Sequence, residues 1–244
     1  NRWHRRCVEL QKTFDKWYVW TLSDVQWGSR YCLEAKFLQY VMWATKTPNV
    51  QIMLLADLME NAIPTHIPQA SFEQTRHPED QLHELLHILK PLKSKILFSI
   101  TGNHELRTWN QTGFDISQIL AQYLGVPYRG MGGYETVKAG KETYLFAYHH
   151  GSSASVNSDK IDLNRLKGIY PGAELYVAGH NHSLFAKPEP VFDRDEESES
   201  GKKLKDVWYV RSGSFFDYAR YAEAKLMAPQ KPGSAIVKLY TQKH

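Results

Sequence analysis

A chain of 244 residues suits one large domain or two small ones, and its hydrophobic fraction of 42% is enough for a sizeable core and excludes general disorder. The formal charge of +4 permits a phosphate-bearing partner without calling for nucleic acid. The two cysteines, Cys7 and Cys32, are too few and too far apart for a disulfide framework or a zinc knuckle. With no stretch of membrane-spanning length and no visible secretory leader, a cytoplasmic protein that does not touch the membrane is the expectation.

Taken in chain order, apolar runs alternate with segments of helical period. Residues 17–23 read as a strand, and residues 33–45 place Leu33, Phe37, Tyr40, Val41 and Ala44 on one helical face. A second strand covers 52–56. The proline-rich stretch 61–77 has little periodicity and follows Asp57 directly, so it is expected to lie over whatever Asp57 builds. Leu82, Leu85, Leu86 and Leu89 mark a helix over 79–89, bracketed by Pro78 and Pro91. Further strands are predicted at 96–101, 144–148 and 175–179, and further helices at 115–124 and 158–169. Toward the C-terminus, 191–192, 207–212 and 234–240 read as an antiparallel layer, with a charged, serine-rich hairpin loop at 193–205. No repeat or linker divides the chain, which predicts one domain over 1–244 with an N-terminal extension at 1–15 and an α/β fold.

Five of these strands end on groups that can hold a metal. Asp24, Asp57, the Gly102-Asn103-His104-Glu105 tetrad, the His149-His150 pair and Gly179-His180-Asn181-His182 each follow an apolar run. Ligands bind beyond the carboxyl ends of strands in open α/β sheets, so the pattern places all five groups at one edge of one sheet. Two adjacent metals need a bridging carboxylate, for which Asp57 is the best placed. Asp24 would hold the first metal, and Gln26, two positions on, points the same way if the chain is extended. Asn103 would offer its amide oxygen to the second metal. The His-x-His spacing of His180 and His182 lets each serve a different metal. His150 completes the second shell, and alternation turns His149 aside.

This ordered set, with Asp57-Leu58-Met59-Glu60-Asn61 at its second position, resembles the calcineurin-like metallophosphoesterase superfamily over roughly residues 17–183. Residues 102–107, 148–151 and the Ser212-Gly213-Ser214-Phe215 stretch look more loosely like a branch common in phage and archaeal genomes, for which a host cytoplasm would be the location. The resemblance implies a four-layer α/β/β/α sandwich. It also implies two divalent metals, manganese first, with magnesium, iron, zinc or nickel as alternatives. Asp24, Gln26, Asp57 and His182 would bind one, and Asp57, Asn103, His150 and His180 the other. A metal-bridging hydroxide would cleave a phosphomonoester or phosphodiester, and His104 would act as catalytic acid beside the phosphate. Arg107 is the expected phosphate clamp, and Glu105 and His149 are further candidates for the substrate side.

Two positions depart from the pattern. Gln26 stands where histidine is usual; a harder and weaker donor there predicts lower affinity and a tilt toward manganese or magnesium over zinc. Ala56 stands where glycine usually precedes the bridging aspartate, which costs little unless that position needs positive φ. The His83-Glu84-Leu85-Leu86-His87 stretch matches a zinc-protease signature, but its helix buries the leucines and leaves the three polar groups on a solvated flank. Two alternatives to a small-molecule hydrolase remain. A nuclease would use Arg2, Arg5 and Arg6 as a basic end and Trp27, Tyr31 and Trp109 for base stacking. A degenerate scaffold would keep the site without turnover.

Overall fold

The computed structural model describes residues 7–10, 13–65, 68–152, 161–195 and 197–242. The basic end carrying Arg2, Arg5 and Arg6 and the first turn expected at 158–160 lie outside these residues. In chain order the elements are β1 (Cys7–Leu10), β2 (Lys16–Leu22), α1 (Glu34–Lys46), β3 (Val50–Leu54), a single turn α2 (Pro68–Ser71) and α3 (Pro78–Leu89). A 3-10 turn (Lys90–Lys95) leads into β4 (Ile96–Ser99), α4 (Asn103–Thr112), α5 (Ile116–Leu124), β5 (Gly132–Ala139) and β6 (Glu142–His149). The chain closes with α6 (Ile161–Ile169), β7 (Leu175–Ala178), β8 (Leu184–Arg194), β9 (Lys202–Ser214), α7 (Arg220–Ala224), β10 (Gly233–Ser234) and β11 (Ile236–Tyr240). No helix among the described residues is long and apolar enough to cross a membrane.

The strands form two sheets, as a four-layer sandwich requires, whereas the strand-end pattern by itself placed the site on one sheet. A four-stranded sheet runs β11-β2-β3-β4, and a seven-stranded sheet runs β1-β5-β6-β7-β9-β10 with β8 added on β9. Strands β2, β3 and β4 are mutually parallel, as are β6 and β7, so each sheet presents its own set of carboxyl ends. The C-terminal segments do not make a separate antiparallel layer. The β8–β9 hairpin is antiparallel, but β9 also runs parallel to β7 in the larger sheet, while β11 crosses to pair antiparallel with β2. The charged loop is shorter than expected: β8 persists to Arg194, β9 restarts at Lys202, and Lys205 reaches Asp193 at 2.6 Å across the hairpin.

Three apolar layers separate four structural ones. Phe37 and Ala44 of α1, Leu85 and Leu89 of α3 and Leu120 and Leu124 of α5 pack on Trp20, Leu22, Ile52 and Leu54 from one face of the smaller sheet. Alternate residues of the same strands, Val19, Met53 and Phe98, turn the other way and meet Val137, Phe146, Tyr148 and Val177 between the sheets. Phe98 stacks on Tyr148 there with ring centroids 4.2 Å apart, a contact worth ~1 kcal/mol beyond its buried area. Behind the larger sheet, Leu163 and Leu166 of α6 cover Ala147, Tyr176 and Tyr209. The result is an α/β/β/α sandwich.

Helix α4 had no apolar period to announce it, because its buried residues are His104, Glu105 and Arg107. The Ala56 position does need positive φ, with a value of 71°. A branched side chain there would clash with its own backbone and crowd Gly102, whose own position leaves only 2.9 Å from a built Cβ to the Ala56 methyl. Ala56→Val is therefore expected to lose about 2 kcal/mol or more, while Ala56→Gly changes stability by under about 1 kcal/mol, both read from denaturant midpoints.

Candidate metal centre

The strand ends of both sheets turn toward a common cavity of about 540 Å³. The loops that reach it are held open by left-handed backbone. Asp24, Gln26, Ala56, Asp57, Asn61, His180 and His182 all have φ between 46° and 75°. Such conformations cost about 1–3 kcal/mol each in ordinary residues and cluster where surrounding structure enforces them. Here the enforcement is a set of loop-to-loop backbone hydrogen bonds: Asp24 N donates to Ala56 O at 3.2 Å, Gln26 N to Asp57 O at 3.0 Å, Phe215 N to Asp24 O at 3.0 Å and Gly179 N to His150 O at 2.8 Å. The i, i+2 pairs Asp24/Gln26 and His180/His182 are thus not extended, yet both members of each pair still reach the site.

The donors fall into two adjoining groups. In one, His182 Nε2 lies 3.0 Å from the Gln26 amide nitrogen and 3.5 Å from Asp24 Oδ1. In the other, Asn103 Oδ1 sits 2.7 Å from His180 Nδ1 and 3.1 Å from His150 Nε2, and His150 Nε2 is 3.0 Å from Asp57 Oδ2. Asp57, His150 and His180 bring ligand atoms within 4.8 Å of one another. Asp24 spans the groups, since its Oδ2 accepts from His180 N at 3.0 Å and from the Ser23 hydroxyl.

Divalent cations fit this cluster. Asp24 and Asp57 are almost wholly buried, and Asp24 Oδ1 has no hydrogen-bond donor among the described residues. A buried carboxylate oxygen in that condition is costly unless a cation meets it. Two glycines keep the cradle clear. A Cβ on Gly179 would lie 2.1 Å from Ser23 Oγ and 2.7 Å from Asp24 Oδ2, and one on Gly102 would lie 2.3 Å from Asp57 Oδ1.

The electrostatics follow from burial and pairing. Burial works against ionising Asp57, but His150 and His104 beside it hold its carboxyl well below the usual range. Burial likewise opposes a charged His150, and Asp57 overcomes it, raising that imidazole to about 10. His104 is dominated by burial, opposed by Asp57 and reinforced by Arg107, and falls to about 3. Its Nδ1 donates to Glu60 O at 2.8 Å, leaving Nε2 as a lone pair 3.7 Å from Asp57 Oδ2.

Other residues stand around the centre rather than in it. The Glu105 carboxylate accepts from Asp57 N at 3.1 Å, Leu58 N at 3.0 Å and Gly102 N at 3.2 Å, so it fixes the bridging loop and the start of α4 and does not face the cavity. Burial and the Asp57 charge push its carboxyl up to about 8. His149 is also turned aside, its Nδ1 accepting from Gly151 N at 2.9 Å. Arg107 borders the cavity but is buried and tied to Glu60, through the carbonyl at 2.6 Å and the carboxylate at 3.2 Å. Trp27 is buried against Phe37 with its indole donating to Glu84, so it offers no stacking platform. That bond and the Arg76–Glu84 ion pair at 2.9 Å occupy Glu84 of the protease-like stretch. The 61–77 loop does reach the cavity, through Ala70 and Glu73.

Three supports have roles that only their tertiary partners reveal. Asn61 donates to His104 O at 2.6 Å, Glu60 accepts from both His104 and Arg107, and the buried Arg211 donates to Gly179 O at 2.8 Å and to Asp162 at 3.1 Å. Polar residues at non-periodic spacing carry no pattern to find them by; the Asp57-to-Asn61 motif holds the first two, but their partners are tertiary.

No protein-family model matches the chain, and no curated protein sequence does either. Similar solved structures include the D62A variant of Vps29 from Entamoeba histolytica, at 15% identity over 92% of this chain and 87% of that one, with a TM-score of 0.47. A metallophosphoesterase from Sphaerobacter thermophilus is similar at 16% identity over 82% and 77%, with a TM-score of 0.39. A predicted phosphoesterase from Streptococcus pneumoniae is similar at 15% identity over 93% and 85%, with a TM-score of 0.36. By its own layer order this chain is a four-layer α/β/β/α sandwich with metal-ligating residue types at its strand ends.

The cradle glycines supply a direct check. Gly179→Ala is expected to cost about 1–3 kcal/mol and to weaken manganese binding measured by calorimetry. Gly168→Ala, where a Cβ meets nothing within 4 Å on helix α6, should instead stabilise by about 0.5–1 kcal/mol and leave metal binding alone.

Proposed function

We propose that this chain is a dinuclear-metal-dependent phosphoester hydrolase. The observation that carries the reading is the convergence of Gln26, Asp57, Asn103, His180 and His182 on one cavity, with Asp24 and His150 against them and a buried Asp24 oxygen that no donor among the described residues meets. On this reading Asp24, Gln26 and His182 hold one cation, Asn103, His150 and His180 hold the second, and Asp57 serves both. Manganese is the favoured metal because the set is rich in oxygen and imidazole and has no thiolate. Two such cations supply an activated water and neutralise phosphate charge at neutral pH.

The chain's own groups then do the rest. The carbonyl of Glu60 fixes the His104 tautomer, aiming Nε2 at the cavity. Burial leaves that nitrogen unprotonated in the free protein, so His104 donates to a leaving oxygen only after a negatively charged phosphate has raised its affinity for a proton. Arg107, already spanning Glu60 and the cavity wall, positions the helix-side face of the site and adds positive charge beside the phosphate.

A non-catalytic scaffold is the second reading, and one observation favours it. The Gln26 amide nitrogen donates toward His182 Nε2, satisfying a ligand atom internally. A half-turn of the amide presents its oxygen instead, and nothing else in the donor set is lost.

A manganese-supplemented panel of monoesters, diesters, pyrophosphates and nucleic acids separates the readings. Wild-type protein should hydrolyse at least one phosphoester, and His104→Ala should keep its metal content by mass spectrometry while turnover falls about 10²–10⁴-fold. Wild-type rates in that variant would remove His104 from the mechanism, and an inert wild-type protein with full metal content would leave the scaffold. For the first metal, Gln26→His should raise zinc affinity relative to manganese about tenfold or more by competition titration; an unchanged ratio would take Gln26 out of the shell.

A further inference from the structure

The wall facing the metal ligands is built by the segment that follows β9. Phe216 starts it, with its backbone bridged to Cys32 and its ring edge-on to His182 at 5.3 Å and near Tyr31 at 5.7 Å. Asp217 N donates to Tyr31 O at 2.9 Å, which ties the segment to the loop beyond Asp24. The rest closes on itself: the Tyr218 hydroxyl donates to Met227 O at 2.8 Å and Met227 N to Ala222 O at 2.9 Å, with α7 enclosed between them. This makes a preformed wall with its own internal bonds.

Two groups on that wall have chemistry to spare. The Tyr221 hydroxyl has no hydrogen-bond partner among the described residues, although its ring lines the cavity close enough for Glu60 and Asp24, after burial, to raise its phenol. Lys225 also borders the cavity and has no ion pair among the described residues. Most of the remaining wall is aromatic or apolar, with Phe216, Tyr218, Ala219, Ala222, Met227 and Ala228 beside the polar Asp217 and Gln230. A volume of 540 Å³ lies within the ~300–1,000 Å³ of small-molecule pockets. The rim carries Glu73 and Asp217 as well as Lys225, and so among the described residues lacks the basic track that guides a polynucleotide.

Resting on the phosphoesterase reading, we infer that the site takes a small phosphomonoester whose leaving group is an aromatic organic moiety, of aryl or nucleoside type, lodged against Phe216, Tyr218 and Tyr221, and not a nucleic-acid polymer. The phosphate faces the metal ligands and the organic group faces the wall, with Tyr221 and Lys225 donating to its polar edge. In the reaction water adds to phosphorus, the P–O bond to the organic group breaks, and its oxygen leaves as an alcohol after taking a proton.

The test uses substrate pairs of equal chemistry on the full chain with manganese. Adenosine 5′-monophosphate and ribose 5-phosphate share a leaving oxygen, as do benzyl and propyl phosphate in kind. The aromatic member of each pair should have a kcat/KM about tenfold or more higher, chiefly through KM. Tyr221→Ala should erase most of that preference, and Tyr221→Phe should keep it. Equal kcat/KM within both pairs, or faster cleavage of a single-stranded oligonucleotide than of any monoester, overturns the inference while leaving the hydrolase standing. Calorimetry with benzylphosphonate and propylphosphonate reads recognition without turnover. Tighter benzylphosphonate binding that is lost in Tyr221→Ala supports the wall assignment even in a protein that hydrolyses nothing, and equal affinities sink it.

Discussion

Two carboxylates, Asp24 and Asp57, lie almost fully buried at the ends of neighbouring parallel strands, and the rest of the site is arranged around that fact. Removing a carboxylate from water costs several kcal/mol after relaxation. No lysine or arginine is paired with either one among the described residues. Backbone N–H groups of His104 and His180 and the imidazole of His150 take up part of the charge. Asp24 Oδ1, without a donor among the described residues, marks where that compensation stops and where a cation fits.

The same requirement accounts for the strained backbone. Ligands from separate loops can converge on one point only if each loop turns sharply as it leaves its strand. Aspartate, asparagine and histidine tolerate left-handed φ better than most residues, so the metal-binding types are also the types that can make these turns. The cross-loop hydrogen bonds through Ala56, Asp57 and His150 then hold the turns in register. Glu105 and Arg211 work at one remove, the first clamping the loop of Asp57 and the second the carbonyl of Gly179.

Behind this constellation the two-sheet interior gives a rigid base, with β4 and β6 joined by the Phe98–Tyr148 stack. The C-terminal segment adds an opposing wall that is attached to the loop beyond Asp24 by Phe215, Phe216 and Asp217. The cavity is thereby lined on one side by the strand-end polar groups and on the other by this partly aromatic segment.

The strands leading to the site, helices α1, α3 and α5, the ligand-bearing strand ends and the α/β class were all legible in the sequence, because apolar alternation and helical period report burial directly. So was the set of residues that the strand ends bring together, since metal-binding residue types recurred there. Three kinds of feature were decided only by tertiary structure. Parallel runs of similar composition do not say which sheet they join, so the one sheet of the strand-end pattern became two and β11 crossed to pair with β2. Helix α4 buries polar residues and therefore has no apolar period. Finally, whether Glu105, Arg107 and His149 face a substrate depends on partners tens of residues away, Glu60 and the backbone of Asp57 among them, and no local pattern encodes a contact that only the folded chain creates.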